Sequence, residues 1–224
     1  KLESKGTKPV FSGGTSLSKG WGLIKRFSED IDFKVAMPSA ASKAEGRRQR
    51  GAYRDGVLAA LAANDFELVD EPLVGNESQF FSANFTYRSA FAAGPGLRPH
   101  IRVEMSFYTP SLKPIARPIR SLVAEALRKR AEVAQFLCVD PIETAADKLS
   151  TLAWRVCARK RGAEGDDATL IRHLYDLAAL KDRIAEAPEF PALARQTAQD
   201  DTGRGGEGVP ANPEERFAAM LELL

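Results

Sequence analysis

Three carboxylates in two strand-like runs could together hold divalent cations. Asp30 and Asp32 lie in a run over residues 30–35 where polar and apolar residues alternate, so both share one face. Glu104 has the same kind of position in a run over residues 101–108. Mg²⁺ prefers oxygen ligands, often one or two carboxylates with substrate phosphate. Three such side chains on neighbouring strands would suit two divalent ions about 4 Å apart. An acidic strand end and an exposed polar strand face explain the same residues.

A glycine turn follows the first strand-like run, over residues 9–11. Gly13 and Gly14 let the backbone turn tightly and let its N–H groups approach a ligand. Together with the hydroxyl groups of Thr15 and Ser16 and the start of a helix, they could form an anion nest for phosphate. Two adjacent glycines are equally compatible with an ordinary loop.

The second half of the chain offers cations and one further carboxylate on predicted helices. Lys148 and Arg155 lie two turns apart on one side of a helix and could hold a triphosphate or its leaving pyrophosphate. Asp176, close in sequence to Arg172 and His173, could face a cleft and contact nucleotide or acceptor. The alternatives are a solvated helix face and a surface ion pair between Arg172 and Asp176.

Composition excludes several classes of protein. The chain has 224 residues, a net charge of +2, 44% hydrophobic residues and two cysteines, Cys138 and Cys157. This is a composition that can fill a core, with no zinc-binding pattern, and it indicates a reducing cytoplasm. It has no apolar run long enough for a membrane span, and residues 1–6 lack a signal core. Because the strongest motif begins so early, we expect the natural N-terminus to lie further upstream.

The pattern of elements predicts an α+β protein, with a mixed-sheet domain over residues 1–118 and a helical domain over residues 119–224. Strands are predicted over residues 9–11, 30–35, 66–69, 79–87 and 101–108, with a helix over about 40–63 and a hairpin turn at Gly94–Gly96. Helices are predicted over 121–131, after the N-cap Asp140, from about Asp166 or Asp167, and after Asn212, with a loop over 199–211.

Basic residues form two groups. Four cations recur at three- and four-residue steps along the helix over 40–63, namely Lys43, Arg47, Arg50 and Arg54. A second group is the run Arg159–Arg161. Both could track an RNA backbone. A solvated helix face and a helix C-terminus favoured by the dipole are the alternatives.

Residues 11–33, which contain the glycine turn and the run Arg26-Phe27-Ser28-Glu29-Asp30-Ile31-Asp32, resemble the first signature of the AbiEii/AbiGii abortive-infection toxin family. Asp147-Lys148-Leu149 with Arg155 resembles the second block of that family. The run over residues 172–177, which reads Arg-His-Leu-Tyr-Asp-Leu, resembles the third block. The resemblance spans about residues 10–185. The chain departs from the family in having little of the helix that normally precedes the first strand.

The resemblance implies a nucleotidyltransferase fold related to that of DNA polymerase β, followed by a helical domain. It implies a nucleoside triphosphate substrate, Mg²⁺ or Mn²⁺, and a toxin paired with a separately encoded antitoxin, some members transferring nucleotides to tRNA ends. By position it assigns Ser28, Asp30 and Asp32 to the metal and phosphate site, with Arg26 beside them, and matches Lys148 and Asp176 to the helical blocks. Glu104 is an assignment from the strand pattern alone.

We therefore expect a nucleotidyltransferase in which an acceptor hydroxyl, activated by Glu104 or Asp176, attacks the α-phosphate. Pyrophosphate would leave against the metal and Lys148, and the acceptor would be an RNA. Two other functions remain open from the sequence. One is a regulatory module that binds a nucleoside triphosphate without catalysis, and the other is nucleotidyl transfer to a small molecule.

Overall fold

The computed structural model describes residues 7–88, 98–160, 162 and 169–224. The chain divides into two compact units, Lys1–Val139 and Asp140–Leu224, which we call the sheet unit and the helical unit. The turn predicted at Gly94–Gly96, the cation Arg161 and the helix start predicted at Asp166 or Asp167 lie outside the described residues.

The sheet unit is built on a mixed sheet with the strand order β3-β4-β5-β2-β1-β7-β6. Strand β2 is central, pairing antiparallel with β1 and parallel with β5, and β1 also pairs parallel with β7. The strands are β1 (Pro9–Ser12), β2 (Asp30–Val35), β3 (Leu73–Gly75), β4 (Phe80–Phe85), β5 (Ile101–Ser106), β6 (Ile115–Ile119) and β7 (Val133–Cys138). The helices of this unit are α1 (Gly13–Lys19), α2 (Lys43–Ala62) and α3 (Leu122–Ala126).

One face of the sheet is covered by α2 and carries the core of the unit. Val35, Phe81 and Met105 are buried there against Val57 of α2, and Tyr53 of α2 packs edge-on against the ring of Phe107. Because side chains alternate along a strand, burial of Val103 and Met105 places Glu104 on the opposite face. The polar residues of β2 and β5 therefore share the face that α2 leaves uncovered.

The helical unit consists of α4 (Pro141–Ala158), α5 (Leu170–Ala185), α6 (Phe190–Asp200) and α7 (Pro213–Leu223). The predicted start of α4 is confirmed, because the Asp140 carboxylate accepts a hydrogen bond from the backbone N–H of Ile142, with Pro141 in the first turn. The start of α7 is confirmed in the same way by Asn212, whose side chain accepts from two backbone N–H groups. Apolar residues of α4, α5 and α7 form the core.

The α+β fold class is confirmed, and several predicted details differ from the structure. Strands β3 and β6 and helix α6 were not predicted, and three predicted elements have other bounds. The helix predicted over 121–131 ends at Ala126, and strand β7 follows it, so the sheet continues to Cys138 and the first unit extends past the predicted boundary at residue 118. The strand predicted over 66–69 is reduced to a single bridge between Leu68 and Phe85. The loop predicted over 199–211 begins with the end of α6 and a 3₁₀ turn at Asp201–Arg204.

Candidate active site

The glycine turn lies directly against the carboxylate of Asp32. Strand β1 ends at Ser12, opposite Asp32 on β2, and Gly13 begins α1 with a positive φ of 68°. A methyl group added at Gly13 would stand 2.6 Å from Asp32 Cγ and closer still to Oδ2. Only glycine can adopt this left-handed backbone conformation and also leave room for the Asp32 carboxylate without strain. We call Ser12–Gly14 the glycine elbow.

Two more residues of the first signature reach the elbow. A methyl group added at Gly14 would meet the guanidinium of Arg26 at 2.8 Å and the hydroxyl of Ser28 at 3.0 Å. A cation, a hydroxyl group and a carboxylate thus meet at one backbone turn. The positions that the sequence assigned to nucleotide binding, Arg26 and Ser28, are brought together with Asp32 although they belong to the connection before β2.

The two hydroxyl groups after the elbow have a structural place. Thr15 donates a short hydrogen bond to the backbone carbonyl of Asp30, which ties α1 to β2. Ser16 is 1% exposed. The sequence-based expectation that Thr15 or Ser16 presents its hydroxyl to a triphosphate does not match these positions, since one hydroxyl is engaged and the other is buried.

A polar row crosses four neighbouring strands on the uncovered face. In strand register, Ser12 of β1 lies opposite Asp32 of β2, Asp32 beside Glu104 of β5, and Glu104 opposite Ser82 of β4. The Ser82 hydroxyl donates to Glu104 Oε1 over 3.4 Å. The sheet pairing thus brings Glu104 next to the pair Asp30 and Asp32, as the strand pattern predicted.

Arg98 belongs to this site, although no motif in the sequence predicted it. Its Nη1 donates to Asp30 Oδ1 over 2.7 Å, its backbone N–H donates to Glu29 Oε1 over 3.1 Å, and its Nε lies 3.8 Å from Glu29 Oε2. Nothing in the local pattern marks it, because it comes from the connection before β5. Its guanidinium neutralises part of the acidic face.

Glu104 has a raised pKa. Burial of the side chain is the largest cause, and the charge of Asp30 adds to it, while Arg102, the hydrogen bond from Ser82 and Arg98 act in the opposite direction. Burial and a neighbouring carboxylate both disfavour the ionised form. Such a group holds its proton to a higher pH than an ordinary glutamate and is suited to accept a proton from a substrate hydroxyl.

The donor set fits a hard divalent cation through Asp30 and Asp32. Carboxylate oxygens are what Mg²⁺ and Mn²⁺ prefer, and the backbone of the elbow and the guanidinium of Arg26 lie beside the Asp32 carboxylate. Over residues 7–88, 98–160, 162 and 169–224, no group of three or more His, Cys, Asp or Glu side chains is arranged to hold a metal ion. Glu104 is therefore a neighbour of the pair in this structure, hydrogen-bonded to Ser82, and its role as a third ligand stays a sequence-based prediction.

The helical unit contains a buried ion pair between two predicted functional residues. Lys148 Nζ on α4 lies 2.6 Å from Asp176 Oδ2 on α5, and Asp176 is fully buried. Asp176 has no exposed surface with which to contact an acceptor, so the expectation of direct contact does not match its position. Because Asp176 is buried against Lys148, the alternative of an exposed pair with Arg172 does not hold either. Arg155 lies further along α4, where its Nη1 donates to Thr169 Oγ1 over 3.3 Å.

The sequence model of the family described as "Nucleotidyl transferase AbiEii toxin, Type IV TA system" matches residues 2–223. The chain belongs to the AbiEii family. This confirms the family resemblance of the three sequence blocks. The family is one of nucleotidyl transferase toxins of type IV toxin–antitoxin systems.

Two solved structures resemble this AbiEii chain. MenT4, a nucleotidyltransferase toxin from Mycobacterium tuberculosis H37Rv, superposes with a TM-score of 0.53 and 20% identity over 89% of this chain and 59% of that one. An antigenic nucleotidyltransferase-like protein from Paracoccidioides brasiliensis gives a TM-score of 0.43 and 13% identity over 99% of this chain and 87% of that one. The chain thus spans 59% of the length of the mycobacterial toxin, and the likeness to it confirms the nucleotidyltransferase fold. No curated protein sequence matches the chain significantly.

The cation stripe of this AbiEii chain is partly engaged by acceptors. Arg47 lies 3.6 Å from a carboxylate oxygen of Glu77, Arg50 donates to the Glu77 backbone carbonyl, and Arg54 pairs with Asp55 at 3.1 Å. The stripe is therefore less available to a phosphate backbone than its sequence spacing predicted. Of the second basic group, Lys160 is exposed and lies 3.9 Å from Glu207.

Among the helices of the described residues, none is both long enough and apolar enough to cross a membrane.

Proposed function

We propose that the chain transfers a nucleotide from a nucleoside triphosphate to a hydroxyl group of an RNA, with tRNA as the expected acceptor, and acts as the toxin of a cytoplasmic toxin–antitoxin pair. The observation that supports this most is the meeting of Gly13, Gly14, Arg26 and Ser28 with the Asp32 carboxylate. Family membership supports the reaction class. The acceptor class rests on the family resemblance.

In this proposal the elbow and Arg26 hold the triphosphate. Backbone N–H groups at a turn and a guanidinium are both suited to phosphate oxygens, the guanidinium through paired hydrogen bonds. Asp30 and Asp32 would hold Mg²⁺ or Mn²⁺, which when bound neutralises charge on the phosphate oxygens. For this, Arg98 must release Asp30.

The chemical step is an in-line displacement. The acceptor oxygen forms a bond to the α-phosphorus, the bond from that phosphorus to the bridging oxygen breaks, and pyrophosphate leaves with the electron pair. The hydroxyl proton passes to the Glu104 carboxylate, which lies beside Asp32 in strand register. Positioning and charge stabilisation dominate the rate of such transfers.

Lys148 is the functional cation that we propose in the helical unit. Its ammonium group is held by Asp176, so Asp176 acts as a positioning residue. A buried aspartate that accepts from a lysine restricts the rotamers of that lysine and so fixes the direction of its ammonium group.

The test incubates the protein with each of the four α-labelled nucleoside triphosphates, Mg²⁺ and total tRNA, then separates RNA from protein and small molecules. The proposal predicts label on RNA, and little label with Asp30→Asn. Asp55→Asn, an exposed carboxylate on α2, is the matched control and should retain activity. Binding of the triphosphate without label on any acceptor would instead support the regulatory module, and label on an added small molecule would support the other alternative.

A further inference from the structure

An open cavity lies at the β4 end of the polar row, on the side of Glu104 away from the elbow. Its volume is about 230 Å³. This is below the roughly 300–1,000 Å³ of sites for drug-sized ligands, so the cavity can hold a group no larger than one nucleoside and not a length of chain. The polar residues that line it come from β4, β5 and the segment before β3, and those used below are Asp70, Ser82, Asn84, Arg102 and Glu104.

The position of the cavity follows from the strand order. Elbow, Asp32, Glu104 and Ser82 lie on four successive strands, β1, β2, β5 and β4. With about 4.8 Å between neighbouring strands, Ser82 is roughly 14 Å from the elbow. In-line displacement requires the attacking hydroxyl to lie opposite the leaving pyrophosphate. If the triphosphate lies at the elbow, the acceptor therefore approaches from the side of β4.

The walls of the cavity combine fixed hydrogen-bonding groups with apolar surface. The Asn84 amide donates to Asp70 Oδ2 over 2.9 Å and accepts from Arg102 Nε over 3.1 Å, so both ends of the amide are oriented. Phe80 and Leu73 supply apolar surface. A nucleoside has this combination, with donors and acceptors at the edge of the base and apolar faces.

The charge of the lining selects between parts of a nucleotide. Three carboxylates, those of Asp70, Glu71 and Glu104, face one cation, Arg102, which is already bonded to Asn84. Carboxylates repel phosphate but accept hydrogen bonds from the exocyclic amines of a base and from ribose hydroxyls. The cavity is therefore matched to an uncharged nucleoside and not to a triphosphate.

We propose that this cavity is the acceptor subsite and takes the terminal nucleoside of an RNA chain, placing its ribose hydroxyl beside Glu104. This inference rests on the proposed nucleotidyl transfer. The nucleoside of the incoming triphosphate has the same chemistry, and the experiment separates the two sources.

The experiment measures KM for the RNA acceptor and for the triphosphate separately, in the full chain and in the variants Asn84→Ala and Asp70→Asn. Glu67→Gln, an exposed carboxylate in the segment before Asp70 and outside the lining, is the matched control. Circular dichroism and thermal unfolding check that each variant is folded. Binding of short labelled RNAs ending in each of the four nucleotides is measured by anisotropy, which needs no turnover.

We expect Asn84→Ala and Asp70→Asn to raise KM and Kd for RNA about tenfold, as for one hydrogen bond lost at a substrate, with KM for the triphosphate unchanged. The preference among the four terminal nucleotides should also change. A raised KM for the triphosphate alone would overturn the proposal and assign the cavity to the incoming nucleotide. If the wild-type protein transfers label and both variants have the same KM and Kd as the wild-type protein, the subsite is refuted and the proposed function stands. Absence of transfer to RNA by the wild-type protein would refute the proposed function and the subsite with it.

Discussion

Replacing Gly13 with alanine tests whether the elbow positions Asp32 for function. At φ 68° an alanine costs about 1–2 kcal/mol of stability, because the left-handed region is unfavourable for residues with a Cβ. The added methyl group would also stand 2.6 Å from Asp32 Cγ and closer still to Oδ2, whereas ordinary contacts begin at 3.4 Å, so the carboxylate must shift by more than about 0.8 Å. A displacement of about 1 Å at a reacting group can lower the rate by about 100-fold.

The chain contains a matched control for the backbone cost. Gly22 has nearly the same φ, 65°, and a methyl group added there meets nothing within 4 Å. Gly22→Ala should therefore lose about the same 1–2 kcal/mol and keep its activity. Comparing the two variants separates the effect of the backbone from that of the shifted carboxylate.

The assay is transfer from a labelled nucleoside triphosphate, with thermal unfolding measured in parallel. We expect Gly13→Ala to be folded at the assay temperature and about 100-fold slower than Gly22→Ala. A transfer rate of Gly13→Ala within threefold of that of Gly22→Ala would contradict the claim that the elbow sets the position of Asp32.

Three further predictions concern charged groups. Because burial and Asp30 raise the pKa of Glu104, its ionised form destabilises the fold as pH rises above the ordinary glutamate range. Glu104→Gln should therefore raise Tm at pH 7 and have no such effect at pH 3. A Tm at pH 7 equal to or below that of the wild-type protein would contradict this prediction. Lys148→Met should cost about 3–5 kcal/mol in denaturant unfolding, since the buried Asp176 would lose its lysine partner, and adding Asp176→Leu should recover much of the loss. A cost under about 1 kcal/mol for Lys148→Met alone would contradict a buried ion pair. Arg98→Gln should bind Mn²⁺ more tightly in a direct titration because it releases Asp30, and weaker Mn²⁺ binding would mean that Arg98 supports the metal site.

The parts of the fold with strong local signals could be predicted from the sequence. Strand β2 alternates strictly, and α4 has an aspartate cap followed by proline, so both were found with their boundaries nearly correct. The pairing of Glu104 with Asp32 followed from two strands whose polar residues share one face.

Features that depend on tertiary contacts were missed. Strand β7 pairs through its neighbours β1 and β6, and its sequence over 133–138 follows a basic run that suggests a continuing helix. Arg98 reaches Asp30 across a long separation in sequence, which no periodic pattern records. The burial of Asp176 depends on the packing of α5 against α4, so a residue expected to face a cleft is instead the partner of Lys148.

Direct binding of Mn²⁺, followed by electron paramagnetic resonance with and without a non-hydrolysable nucleoside triphosphate, is the most decisive measurement. We expect the wild-type protein to bind Mn²⁺ more tightly when the triphosphate is present, and the double variant Asp30→Asn/Asp32→Asn to lose this binding while remaining folded. Equal Mn²⁺ binding by the double variant and the wild-type protein would contradict the conclusion that the carboxylates beside the glycine elbow hold the metal with the nucleotide.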